Sequence, residues 1–206
     1  SMPYLLNLIY SVFLFILLPW LVVRSITTGR YRQGLGSKLL GLRRLTLSAG
    51  QPVVWFHGVS VGEIHLLGTV VKAFRQRYAG WQCVVSTTTE TGMAEAKKRF
   101  ADLPVVFFPF DFTWAVRRTL NAIGPSLIVL AESELWPNFL RAAAKRGTPV
   151  VVINGRMSPR SARRFRKLAW LARPLLFSRV TKFVMQTENY AQALVDYARA
   201  EKVLRR

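Results

Sequence analysis

Glu63 closes the run His57-Gly58-Val59-Ser60-Val61-Gly62-Glu63, in which two glycines permit a tight turn at the start of a helix. Phosphate loops are built this way. This run, however, lacks a Lys-Ser/Thr pair and the G-x-G-x-x-G spacing. A carboxylate in the first helical turn also occupies the positive end of the helix dipole and repels a second anion. The run therefore presents a carboxylate, with His57, Ser60 and Gly62 beside it as candidate substrate contacts. Its plainer role, favouring the helix N-terminus, carries comparable weight on spacing alone. A second pair, Glu132 and Glu134, stands two residues apart, which puts both on one face if a strand persists there. Like charges placed together need a cationic partner or a shared proton, so the pair is either catalytic or bridged to arginines. Around these lie Ser86-Thr87-Thr88-Thr89, whose hydroxyls (Thr88 and Thr89 foremost) cap a helix or bind sugar and phosphate oxygens. Arg156, Ser158 and Arg160 form a candidate phosphate clamp, with ordinary solvated charge as the alternative.

These residues are placed by an alternation of short β-branched runs (53–56, 82–87, 105–108, 127–131, 150–153 and 181–185) with helical patterns over 63–78, 91–101, 114–123, 137–146 and 159–177. Continuous apolar strands alternating with helices predict a Rossmann-like, doubly wound α/β parallel sheet. In such sheets ligands bind beyond the carboxyl ends of the strands. Glu63, Asp111, Glu132 and Glu134 all fall at such ends, in a chain with only ten acids.

Upstream, residues 4–23 form an apolar run interrupted by Asn7, Ser11 and Pro19, long enough for a membrane anchor that spans or inserts deeply. Arg24, Arg30, Arg32, Lys38, Arg43 and Arg44 follow with no acid among them, which by the positive-inside rule puts the remainder in the cytoplasm. The organisation expected is a membrane anchor over 1–23, a basic linker over 24–51 and an α/β domain over 52–206. The net charge of +20 demands an anionic partner, and no acid occurs between Leu135 and Thr187. One cysteine, Cys83, excludes an internal disulfide. With only His57 and His65 beside it, the chain has too few ligands for a zinc cluster, and no metal site is expected.

Five stretches resemble, in order, the 3-deoxy-D-manno-octulosonic acid (Kdo) transferases of Gram-negative lipopolysaccharide biosynthesis: 55–63, 86–92, Pro109-Phe110-Asp111, 132–138 and 153–158, within a similarity running to about Glu188. The resemblance implies the N-terminal, acceptor-side half of a GT-B glycosyltransferase. It moves Kdo from CMP-Kdo to the lipid A precursor at the cytoplasmic face of the inner membrane. Glu63 then corresponds to the general base, Glu132 to a second essential carboxylate, and Glu134 to an orienting group. No cofactor is implied. CMP-Kdo is the donor substrate, and a C-terminal domain that binds it is absent, so this chain alone is expected to be inert. Two other readings compete: a basic nucleic-acid-binding module, and a membrane-anchored scaffold without chemistry. The apolar N-terminal run decides for the membrane over nucleic acid.

Overall fold

Six of the apolar runs become strands within two residues of the expected bounds: β1 (Val53–His57), β2 (Gln82–Thr87), β3 (Val105–Phe107), β4 (Leu127–Ala131), β5 (Val150–Gly155) and β6 (Lys182–Met185). The computed structural model describes residues 2–28, 33–131, 135–155, 177–185 and 203–204. All pairings are parallel and the order is β3-β2-β1-β4-β5-β6-β7. The last strand, β7 (Val203–Leu204), is too short to have left a pattern in the sequence. Between the strands run α3 (Val61–Arg77), α4 (Glu90–Arg99), α5 (Thr113–Ile123) and α6 (Pro137–Lys145). The helix expected over 159–177 lies almost wholly outside the described residues.

Alternation along β1 sorts the core into two layers. Val54 and Phe56 pack with Ile64, Leu67 and Val71 of α3 and Ala96 of α4. Trp55 packs on the other face with Val116 and Leu120 of α5 and Phe139 and Leu140 of α6. Helices thus cover both faces, as the continuous strand hydrophobicity requires.

The N-terminal helix α1 (Met2–Thr28) extends beyond the apolar run. Its 27 residues make about 40 Å of rod, more than the ~30 Å hydrocarbon core of a bilayer. By length and composition it could cross a membrane. Only Pro3 and Asn7 are buried, while Leu5, Leu8, Phe13, Phe15, Ile16 and their neighbours face outward.

The segment expected to be a basic linker is folded onto the domain. A short helix α2 (Leu35–Leu40) is followed by Leu42, Leu45 and Leu47, which pack against the α5–α6 layer. The Leu42 amide donates to Thr119 Oγ1 at 2.9 Å, and the Phe110 amide donates to the Lys38 carbonyl at 2.8 Å. Gly41 has φ +81°, and a Cβ there would run into the Ala115 backbone, so the close approach of this segment to α5 needs glycine.

Candidate functional site

The strand order reverses between β1 and β4, which lie side by side and send their following helices to opposite faces. A crevice opens at such a switch point beyond the strand ends. Here the crevice is bordered by residues 57–63 after β1 and by residues 135–136 ahead of α6.

The first border is built around two groups, the Val59 peptide and the Glu63 carboxylate. The Val59 amide donates to Glu63 Oε2 at 2.5 Å, and Ser60 Oγ donates to Oε1 at 3.2 Å. Ser60 is the N-cap of α3, so Glu63, in the first turn, reaches back over the helix start. Glu63 satisfies the loop amide and is half-buried in the first turn of α3. Ser60 and Gly62 are exposed. A Cβ on Gly62 would meet nothing nearer than Ser60 Oγ at 4.0 Å, whereas one on Gly58 would press on Glu63 Cβ and Leu67 Cδ1, each at 3.1 Å. Gly58 serves packing, and Gly62 leaves open space at the start of α3.

The hydroxyl loop holds this border in place. Thr87 Oγ1 and Thr89 Oγ1 both donate to the Val59 carbonyl, at 3.1 and 3.0 Å. Thr89 also caps α4, accepting from the Gly92 amide at 3.0 Å. Thr89 is thus a bracing group, while the buried Thr88 hydroxyl has no hydrogen-bond partner within the described protein.

His57 departs from its expected role as a substrate contact. It is 1% exposed, stacked on Phe108 with ring centroids 4.0 Å apart, and its Nδ1 lies 2.9 Å from Ser86 Oγ. The reason is strand period: His57 stands two residues after Trp55 and shares its inward face. Burial, partly offset by the bond to the Ser86 backbone, pushes its pKa down to about 3, so the ring is neutral at ordinary pH.

Asp111, after β3, organises the other side. Its Oδ1 accepts from the Phe139 amide at 2.8 Å and its Oδ2 from the Asn138 amide at 3.0 Å, capping α6 in the absence of a side-chain cap from Trp136. Tyr10 Oη of α1 donates to the same Oδ2 at 3.0 Å. Asn7 accepts from the Thr113 amide at 3.1 Å and donates to Thr113 Oγ1 at 2.7 Å. It also accepts from Asn138 Nδ2 at 3.3 Å. Burial pushes Asp111 up to about 6, with the two amides and Tyr10 pulling in the opposite direction.

Glu132, Glu134, Arg156, Ser158 and Arg160 lie outside the described residues. The ends of the first of these segments are fixed by Ala131 in the sheet and by the Asp111-capped start of α6. Among the described residues no group of three or more His, Cys, Asp or Glu side chains could hold a metal ion.

A sequence profile described as 3-deoxy-D-manno-octulosonic-acid transferase (kdotransferase) matches residues 30–205. The chain belongs to the Kdo transferase family. The match runs past Glu188, where the resemblance fades to the eye. A Kdo transferase from Chlamydophila psittaci is 37% identical over 175 residues, covering 84% of this chain and 40% of that protein. Another from Haemophilus influenzae is 31% identical over 145 residues, 70% of this chain and 34% of that one. A bifunctional glycosyltransferase/methyltransferase of Fusobacterium nucleatum is 35% identical, covering 69% of this chain and 22% of its own length. This Kdo transferase chain therefore spans about 40% of the length of the first of these relatives. Among solved structures, the UDP-GlcNAc 2-epimerase of Neisseria meningitidis bound to UDP-GlcNAc superposes with a TM-score of 0.53. Identity is 13%, and the match covers 74% of this chain and 46% of that one. A UDP-N-acetylglucosamine 2-epimerase of Listeria monocytogenes gives 0.52 at 10% identity, covering 75% and 44%. At such identities these matches speak for the fold alone, the Rossmann-like half of a GT-B architecture.

In this member of the Kdo transferase family, sequence reasoning gave Asn7 and Tyr10 no role in the α/β domain and read Ser86 only as part of the hydroxyl loop. Asn7 was visible as a polar interruption of the apolar run, and Tyr10 was masked by its aromatic ring. Ser86 turns its hydroxyl into the sheet, where it accepts from Trp55 Nε1 at 2.7 Å and meets His57 Nδ1 at 2.9 Å.

Proposed function

We propose that this chain forms the acceptor-side part of an enzyme that transfers Kdo from CMP-Kdo to a lipid A precursor. The setting is the cytoplasmic face of the inner membrane of a Gram-negative bacterium, with α1 buried in the anionic membrane surface. One observation carries this: in a chain of the Kdo transferase family, Glu63 stands half-buried at the switch-point crevice with open space over Gly62.

The chemistry follows from the arrangement. A sugar hydroxyl is a weak nucleophile until a positioned carboxylate takes its proton. The Val59 amide fixes Oε2, while the longer bond from Ser60 to Oε1 is the one an acceptor hydroxyl replaces. As that hydroxyl oxygen bonds to the anomeric carbon of Kdo, its proton passes to Glu63. The bond from the anomeric carbon to the CMP phosphate oxygen breaks, and CMP leaves with the electron pair. Attack opposite the leaving group inverts the anomeric centre. Glu132 supplies a second carboxylate, and Glu134 orients neighbouring groups. Thr88, Arg156, Ser158 and Arg160 contact acceptor oxygens and phosphates. The donor binds to the part of the relatives' length that this chain does not span. No cofactor takes part, and nucleic acid is not a partner.

The test is Glu63→Gln in a full-length Kdo transferase carrying this chain as its N-terminal part. Glutamine keeps the size and still accepts from the Val59 amide but cannot take the proton. Transfer should fall about 10²–10⁴-fold with acceptor binding nearly intact. Near wild-type turnover with only a lowered melting temperature would make Glu63 a helix-end residue and nothing more.

A further inference from the structure

A groove of about 810 Å³ runs between α5 and α6, on the sheet face opposite α3 and Glu63. Its walls carry Arg117, Arg141, Lys145 and Arg146 and, among the described residues, no carboxylate. Helical spacing explains the convergence: 117 and 121 lie on one stripe of α5, and 138, 141, 142 and 145 on the facing stripe of α6. Arg146 is bonded to Asn121 Oδ1 at 2.5 Å. Arg117, Arg141 and Lys145 form no ion pair with a described residue, and the salt bridges of the described chain lie elsewhere. The charge of Arg141 adds to burial in holding Arg179 below the ordinary arginine range. Like charges gathered without a counter-charge repel one another, and a bound anion relieves them.

The groove's mouth identifies the anion's other half. Pro3 and Tyr4, in the first turn of α1, form one wall, with Trp114 beside them. Tyr4 is 71% exposed and Trp114 40%. Aromatic residues of this kind sit at the level of lipid headgroups. Beyond them begins the outward-facing apolar surface of α1. A nucleic acid would neutralise the cations but leave that surface in water. A molecule with a phosphate at one end and acyl chains at the other answers both.

We propose that the α5–α6 groove is a headgroup site for an anionic membrane phospholipid, its phosphate held by Arg117, Arg141 and Lys145 with Tyr4 and Trp114 at the membrane boundary. The site is separate from the transfer chemistry and rests only on α1 entering a membrane.

The experiment is flotation of this chain with phosphatidylcholine vesicles with or without phosphatidylglycerol, at physiological salt and with no glycolipid acceptor present. Binding is thereby read independently of transfer. Combining Arg117→Gln, Arg141→Gln and Lys145→Gln should weaken binding to the anionic vesicles roughly 100-fold, at about fivefold per cation near such a surface. The charge-matched control, Lys72→Gln with Lys97→Gln and Lys98→Gln on α3 and α4, should lose much less. Equal losses from the two triple variants would overturn the proposal in favour of unlocalised charge. A second measurement avoids substitution: acetylation of Lys145 in the unaltered chain should be slowed by phosphatidylglycerol vesicles relative to Lys72. Equal slowing of the two lysines would likewise overturn it.

Discussion

Tyr10 donates its hydroxyl to Asp111 at 3.0 Å, which joins the third turn of the apolar helix to the carboxylate that caps α6. Tyr10→Phe deletes this bond and leaves the ring, which meets Phe112 edge-on at 5.9 Å. A bond to a charged group contributes about 1.5–3 kcal/mol, and the partial burial of this pair argues for the lower end. Thermal unfolding in detergent micelles should register a loss of about 1.5 kcal/mol. In a double-mutant cycle with Asp111→Asn the two losses should fail to add. Full additivity would mean that the bond contributes nothing.

Two buried groups give the stability opposite dependences on pH. His57, with its folded pKa lowered to about 3 from 6.5, contributes stability that is fully present above pH 6.5 and is lost as the pH falls toward 3. Asp111, raised to about 6 from 3.8, contributes stability that is present below pH 3.8 and lost as the pH rises through 6. Between pH 6 and 4 the two oppose each other, with Asp111 opposing His57 by up to about 3 kcal/mol at 1.36 kcal/mol per pKa unit. Denaturant melts across this window should therefore show Asp111→Asn losing stability more steeply on acidification than the unaltered chain. The unaltered chain should be nearly level there, and His57→Gln should gain stability on acidification. Parallel profiles for all three proteins would contradict the assignment.

Gly62 separates fold from function. It lies in the first turn of α3, has no positive φ, and a Cβ there meets open space. Alanine is the better helix former by up to about 1 kcal/mol. Gly62→Ala should leave this chain as stable or slightly more so, by chemical denaturation. In the full-length enzyme the proposed role of Glu63 as base predicts at least a tenfold loss of transfer, because the added methyl group fills the open space over Gly62. Unchanged transfer would move the acceptor path away from Gly62.

Legibility from sequence followed how each feature is encoded. The strands were readable because parallel strands covered on both faces are apolar without interruption, as in Cys83-Val84-Val85 and Ile128-Val129-Leu130. The loops that follow β1, β2 and β3 were readable from the strand ends that the apolar runs mark. The burial of His57 was overlooked because glycine-rich neighbours drew it into the loop, although it is the last residue of a strand covered on both faces. Leu42, Leu45 and Leu47 follow neither a helical nor a strand period, so nothing local signalled that residues 42–47 pack on α5. Asn7 and Tyr10 act through partners more than 100 positions away, Thr113 and Asp111, a relation no local pattern carries.

The attachment of α1 at both its flanks has a topological consequence. Residues 7 and 10 are bonded to the α/β domain, and the Gln33 amide already reaches Glu90 Oε1 of the same domain at 3.3 Å. The five steps from Thr28 to Gln33 cover at most about 18 Å. While the contacts of Asn7 and Tyr10 hold, the chain cannot cross a bilayer along α1 and return in that length. A membrane that takes up α1 with those contacts intact would therefore hold the rod flat in one leaflet, like a runner beneath a sledge. A body held this way can glide over the surface or let go of it, but it cannot turn over. Which side of such a membrane its loops meet would then be decided by the path of the chain as well as by the arginines that follow.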